Sequence, residues 1–240
     1  MIIAMYRTGL VLEKQWLHAL LLTVLIVALL YISGVDSIQI GRFWGLGSLT
    51  WLWLAVAAAV AHQAFVWFCW RTQLHLSLLT KVLGDRGFTV YALLFSVLGI
   101  TRVIFVFILA ISNRDTVHVD QIALRVLGIV MLIPAVYLFY SVKRYFSFKR
   151  AFGIDHFDAS YRSVPFVRKG IFRFTNNGMY TFGFLLLWVP GLWYASVAAL
   201  SAALFNHLYI WVHYYSTELP DTKRIYGEDN EFFMGSDQEK

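Results

Sequence analysis

Residues 179–215 read MYTFGFLLLWVPGLWYASVAALSAALFNHLYIWVHYY, 37 residues without a single Asp, Glu, Lys or Arg. One helix of that length would run to about 55 Å, nearly twice a hydrocarbon core of about 30 Å. Pro190-Gly191, a helix-breaking pair, interrupts the run and is followed by Trp193-Tyr194-Ala195-Ser196. The stretch therefore reads as a tight helical hairpin, 179–193 and 196–216. This reading decides the fold, because it sets the number of membrane crossings and the side on which the chain ends.

Four further apolar runs precede it, near 16–33, 49–70, 88–112 and 122–142, each long enough to span a bilayer. The expectation is an all-α polytopic transmembrane bundle of about six spans. Composition agrees, with 59% hydrophobic and only 14% charged residues in 240, against about a quarter charged in ordinary soluble domains. That excludes a soluble globule and a disordered chain. Continuous apolar runs exclude a β-barrel, whose strands alternate. The first run exceeds a signal-peptide core and no small-residue cleavage motif follows it, so it reads as a retained first helix.

Charge sets the orientation. With six spans, sixteen Lys and Arg fall on one side, in the N-terminus, the 71–87 loop, the 143–178 loop and the tail, against Arg42 and Arg114 on the other. The positive-inside rule places both termini and both large loops in the cytoplasm. Five spans would put the tail's Lys223, Arg224 and Lys240 on the wrong side. The net charge of +6 thus reports orientation and anionic headgroups, and no nucleic-acid partner is expected. The lone Cys69 excludes an intrachain disulfide, and no metal-ligand spacing occurs. The 71–87 segment, with leucines at 74, 76, 78, 79 and 83, reads as an amphipathic helix at the interface. Three regions follow: a four-span membrane region 1–142, a loop, hairpin and C-terminal motif 143–227, and an acidic tail 228–240. Homo-oligomerisation is not readable.

Polar groups concentrate in the last third: Asp155-His156-Phe157-Asp158, Asn176-Asn177-Gly178, Asn206, His207, His213 and Glu218. Helical spacing lets Asn206, His213 and Glu218 share one face, which must point inward because such groups are costly against lipid. A lone His207 reads equally well as helix–helix glue. Arg102, mid-span, reads as a functional residue or as a cation paired to a structural partner. The tryptophans Trp44, Trp51, Trp53, Trp67 and Trp70 read as interfacial belts. Transport and catalysis stay open at this point.

The segment Gly170-Ile171-Phe172-Arg173-Phe174-Thr175-Asn176-Asn177-Gly178-Met179-Tyr180 resembles the signature that opens the catalytic hairpin of the integral-membrane phospholipid and isoprenylcysteine methyltransferases. After the hairpin, Glu218-Leu219-Pro220-Asp221, then Lys223-Arg224 and Tyr226-Gly227, is similar to that superfamily's acidic ending. Tyr209-Ile210-Trp211-Val212-His213 and the Glu-x-Pro-Asp order look closest to the phosphatidylethanolamine N-methyltransferase branch. The resemblance covers residues 152–227. Gly178 stands where the family has proline before Met-Tyr, and Glu218 stands alone where it has two glutamates.

The resemblance implies S-adenosylmethionine as cofactor, held by the last helices, and a membrane lipid acceptor arriving from the bilayer. The cofactor residues it implies are Gly153, Asn176, Asn177, Gly178, Tyr180, His207 and Glu218. His213 and Glu218 are its candidates for proton removal, and Arg173, Arg224 and Tyr226, with Lys169, for the lipid headgroup. Phosphatidylethanolamine or its methylated forms is the acceptor so implied. The alternatives are a carboxyl or thiol methyltransferase of the same superfamily, or a non-catalytic lipid-binding or transport protein using Arg102 and Arg125.

Overall fold

The computed structural model describes residues 2–227, so the acidic tail 228–240 lies outside the described residues. The chain is almost wholly helical. Four helical stretches are long and apolar enough to cross a membrane: Arg7–Ser33, Ser48–Leu76, Leu78–Ser112 and Gln121–Phe146. The principal helices within and after them are α1 (Ile2–Val11), α2 (Gln15–Ser33), α3 (Ser48–Leu76), α4 (Gly87–Ser112), α5 (Gln121–Ser141), α6 (Trp188–Trp193), α7 (Val197–His213) and α8 (Leu219–Tyr226). The segment from Gly178 to Trp193 is shorter, and it turns back into α7 at Tyr194–Ser196.

Pro190-Gly191 is not that turn. Pro190 stands in the first turn of α6, where its missing N–H removes no intrahelical bond. Gly191 lets α6 approach α7 closely, since a Cβ there would sit 3.0 Å from the Leu200 nitrogen. The reversal occurs at Ala195, in left-handed backbone at φ 50°. Ser196 caps α7 by accepting from the Ala199 N–H, and Asn113 ties down this first turn of the helix. The Asn113 side chain accepts from Ser196 Oγ and the Ala198 N–H at 2.9 Å each and donates to the Ser37 and Ile40 carbonyls at 2.7 and 2.8 Å. The hairpin turn therefore lies at the same end as the C-terminus of α4 and the 37–40 segment, with Arg42 and Arg114.

The core is built on small residues. Ala198, Ala199, Ala202 and Ala203 of α7 meet Leu52, Ala55, Val56 and Ala59 of α3 and Val106, Leu109 and Ala110 of α4, and small side chains let helices approach closely where apolar burial gives no net drive. Outward faces carry exposed Val24, Val97, Ile129 and Ile133, as lipid contact requires.

Three expectations need adjustment. A two-residue β-ribbon, β1 (Arg42–Phe43) with β2 (Leu46–Gly47), interrupts the all-α reading. It turns on Trp44 and Gly45, both at positive φ, as a tight hairpin requires. Helix α1 was not expected at all. And 71–87 is not one interfacial helix: α3 continues to Leu76 and breaks at Ser77, φ 53°. The helix continues because Arg71, fully buried, is neutralised from outside its own helix.

Candidate active site

Pro220 stands in the first turn of α8. It has no N–H to give the Ser216 carbonyl four residues back, so the helix after α7 widens into a π-turn over Tyr214–Glu218, with the Leu219 N–H donating to the Tyr214 carbonyl. Arg71 takes the stranded carbonyl, donating to Ser216 O and Thr217 O at 3.3 Å each. The same guanidinium pairs with Asp221 at 2.9 Å and with Glu13 at 3.3 Å, and donates to the Leu10 carbonyl at 2.6 Å. One buried arginine thus joins α1, α3 and α8. The wider turn also re-aims the residues after His213.

Asp221 continues the network. Its Oδ2 lies 3.5 Å from His156 Nε2, and His156 Nδ1 lies 3.1 Å from Asp155 Oδ1. Asp155 Oδ2 accepts from the Tyr226 hydroxyl at 2.8 Å. Burial works against a charged His156, but its hydrogen bonds to Asp155 and Asp221 prevail and carry its pKa up to about 9. The ring is therefore held as an imidazolium, hydrogen-bonded through Nδ1 to Asp155 and facing the Asp221 carboxylate with Nε2. Burial opposes ionisation of Asp155 too, yet His156 and Tyr226 hold its carboxyl below the usual range. The imidazolium stacks on Trp70, centroids 4.4 Å apart and planes 20° from parallel. Gly153 makes this possible: it stands at φ 78°, and a Cβ there would lie 2.5 Å from the Trp70 ring.

This network walls a polar recess lined by Gly153, Asp155, His156, Asn176, Asn177, Tyr180, Glu218, Thr222 and Tyr226, with aromatic walls from Trp70, Phe146 and Phe172. Glu218 Oε2 is shut off from solvent without a hydrogen-bond partner. Burial first, and the neighbouring Asp155 charge second, push Glu218 up to about 8. Its neighbours are already charge-balanced, His156 against Asp155 and Arg71 against Asp221, so Glu218 stays protonated near neutral pH. An orphaned acid among aromatic rings suits a ligand carrying an ammonium or sulfonium group.

A second, apolar cavity of about 270 Å³ adjoins the recess. Trp70, Ala151, Met179 and Tyr180 line both. His213, 1% exposed, faces the apolar side with neither ring nitrogen hydrogen-bonded. The recess and cavity therefore meet at an aromatic partition, with Glu218 on one side and His213 on the other.

Six sequence candidates, Gly153, Asn176, Asn177, Tyr180, Glu218 and Tyr226, come together in the recess. Others do not. Gly178 packs behind it, against Ile171 and Phe172. His207 Nδ1 accepts from Trp188 Nε1 at 3.1 Å and works as glue within the hairpin. Arg173 is exposed with its guanidinium over the Phe174 ring. Arg224 is held by Glu13 at 2.9 Å, with Asp221 at 3.7 Å. Arg125 lies over Trp193. The sequence reading missed Arg71, Asp221 and Trp70. Only Asp221 carried a signal, its place in the Glu-x-Pro-Asp order.

Searches of the curated proteins and of the solved structures found no match to this chain. Residues 123–229, which include most of α5, the recess-forming loop, α6, α7 and α8, match the family model of phospholipid methyltransferase, the superfamily that the C-terminal motifs resemble.

Proposed function

We propose that this protein is an S-adenosylmethionine-dependent membrane methyltransferase acting on the amine of phosphatidylethanolamine or its partly methylated forms. A membrane methyltransferase acting on lipid is the coarser function that the family match supports. The observation that carries the finer reading is the pair of cavities meeting at Trp70 and Tyr180, one polar and acidic, the other apolar. A water-soluble cationic cofactor and a lipid acceptor need such a pair.

In this reading Glu218 receives the amino group of the cofactor, Asn176 and Asn177 its polar groups, and Tyr180 with Phe146 and Phe172 the cationic centre. The cofactor supplies an electrophilic methyl group. The protein's part is alignment and exclusion of water, since in-line transfer needs the two reactants held in register. An ammonium acceptor must lose its proton before attack. His213 is the proposed base, because it faces the apolar cavity with both ring nitrogens unengaged. Six crossings with cytoplasmic termini are part of the proposal, and they open the recess to the cytoplasm.

The test is to incubate the purified protein with methyl-labelled S-adenosylmethionine and a mixed lipid extract. Label in phosphatidylethanolamine derivatives, a rate rising from pH 7 towards 9, and a slower His213→Ala variant of unchanged cofactor affinity are expected. A flat pH profile with label in a base-labile ester would replace this reading with a carboxyl methyltransferase.

A further inference from the structure

The apolar cavity contains a cation that the reading above does not use. Arg102, 5% exposed, lines it from the middle of α4. Its Nε and Nη2 donate to Asn206 Oδ1 at 3.1 and 2.8 Å, and its Nη1 lies 3.1 Å from His62 Nδ1. Asn206 is fixed in that pose by donating to the Ala202 carbonyl at 2.8 Å. The Phe184 ring lies 5.2 Å from the guanidinium carbon.

All of these partners are neutral. Among the described residues no carboxylate pairs with Arg102. The contrast with Arg71 is informative, because that equally buried guanidinium is met by both Glu13 and Asp221. A buried cation without an anion is expensive in a membrane, and it is retained where it meets a charged ligand or pathway.

The donor count indicates what it meets. A guanidinium has five N–H groups and no acceptor, so the three bonds above leave two donors, one on each terminal nitrogen. Because Arg102 can only donate, His62 Nδ1 must accept, which puts the imidazole proton on Nε2. That nitrogen is buried without a partner, and His62 also lines the cavity. Three unused donors around one fixed positive charge suit an oxyanion with several acceptor oxygens. The remaining walls are apolar. The lining side chains Phe139 and Phe148 are exposed at the outer surface, beside Phe95, Gly99 and Val103 of α4 and Leu138 of α5. A hydrocarbon chain fits such walls and a free anion does not.

We propose that Arg102, His62 and Asn206 form an anion subsite that binds the phosphate of an amphiphile whose chain occupies the apolar cavity. Arg102 and His62 are its direct contacts, and Asn206 is a positioning residue. Both contact residues lie outside the family-matched segment 123–229. The subsite takes the place of the loop cations Arg173, Lys169 and Arg224, none of which lines the cavity. Calling the amphiphile the methyl acceptor rests on the proposed function; the binding itself does not.

The experiment is calorimetry on the full chain in a non-ionic detergent, with dodecyl phosphate, dodecanol and inorganic phosphate as probes. Dodecyl phosphate should bind at least tenfold tighter than dodecanol. Arg102→Gln should reduce it to the level of dodecanol, His62→Phe should weaken it several-fold, and Arg102→Lys should keep part of the preference. Millimolar inorganic phosphate should not compete. If Arg102→Gln fails to fold, Arg102→Lys and His62→Phe carry the test. Equal binding of dodecyl phosphate and dodecanol to the wild type, or an undiminished preference in the folded Gln and Phe variants, overturns the subsite. Competition by inorganic phosphate at the affinity of dodecyl phosphate overturns the amphiphile. Cofactor binding and methyl transfer are measured in parallel: a phosphate preference that depends on Arg102 without methyl transfer defeats the enzymatic reading and leaves the subsite standing.

Discussion

Glu218 offers a measurement that links the recess to a cationic cofactor without any assay of turnover. With its pKa raised to about 8, the side chain is about nine-tenths protonated at pH 7. An ammonium group arriving beside Oε2 favours the carboxylate, so binding should expel that proton, about 0.9 per site at pH 7. Apparent affinity should follow the ionised fraction and rise about tenfold from pH 6 to pH 7. His156, with its pKa near 9, stays charged across this window, so the slope belongs to Glu218. Titration calorimetry of S-adenosylmethionine in buffers of different ionisation enthalpy reads the released proton directly. Glu218→Gln should abolish both the release and the slope and bind more weakly. The sign of the stability effect is opposite. A carboxyl pKa raised from 4.5 to about 8 means that the folded wild type loses stability as pH rises from about 4.5 to about 8, so the advantage of Glu218→Gln should grow across that window and level off above it. Wild-type binding without buffer dependence, or the same proton release in Glu218→Gln, would refute the assignment.

Other outcomes follow from the same geometry. Asp221→Asn leaves Arg71 with Glu13 and three carbonyls but strips it of its best partner; breaking a buried pair costs about 3–5 kcal/mol, here at the low end. Amide exchange over 214–226 should accelerate about a hundredfold, and unchanged protection there would count against the anchoring role. Gly153→Ala combines positive φ with a Cβ 2.5 Å from the Trp70 ring, so thermal unfolding should report a loss of about 1–3 kcal/mol, and an unshifted Tm would show that the ring is not wedged there. For topology, single cysteines at the exposed positions Asp115 and Arg162 should react with impermeant reagent from opposite sides, Cys69 being buried. Reaction of both from one side would exclude an odd number of crossings between them.

Much of the architecture was legible in the residue order, because hydropathy and charge act locally. An apolar run of bilayer length must be a helix wherever it goes, and four such runs are helices long and apolar enough to cross a membrane. The helix end at 193 and the helix start at 196 could be read, and the polar motifs near them led to Gly153, Asn176, Asn177, Tyr180, Glu218 and Tyr226, which line one recess. The cause of the reversal was not legible. Pro190-Gly191 is absorbed into the first turn of α6, while the bend depends on Asn113, some eighty residues earlier in the chain. Buried charge was the least legible. Arg71 and Asp221 read separately as an orienting loop cation and a motif residue, and Arg102 as a cation of unknown partner. Which charges compensate one another depends on helix faces brought together across 104 positions for Arg102 with Asn206 and 145 for Arg71 with Ser216. Electrostatic energy in a low-dielectric interior depends on distances of a few ångströms, and those distances exist only once the helices have packed.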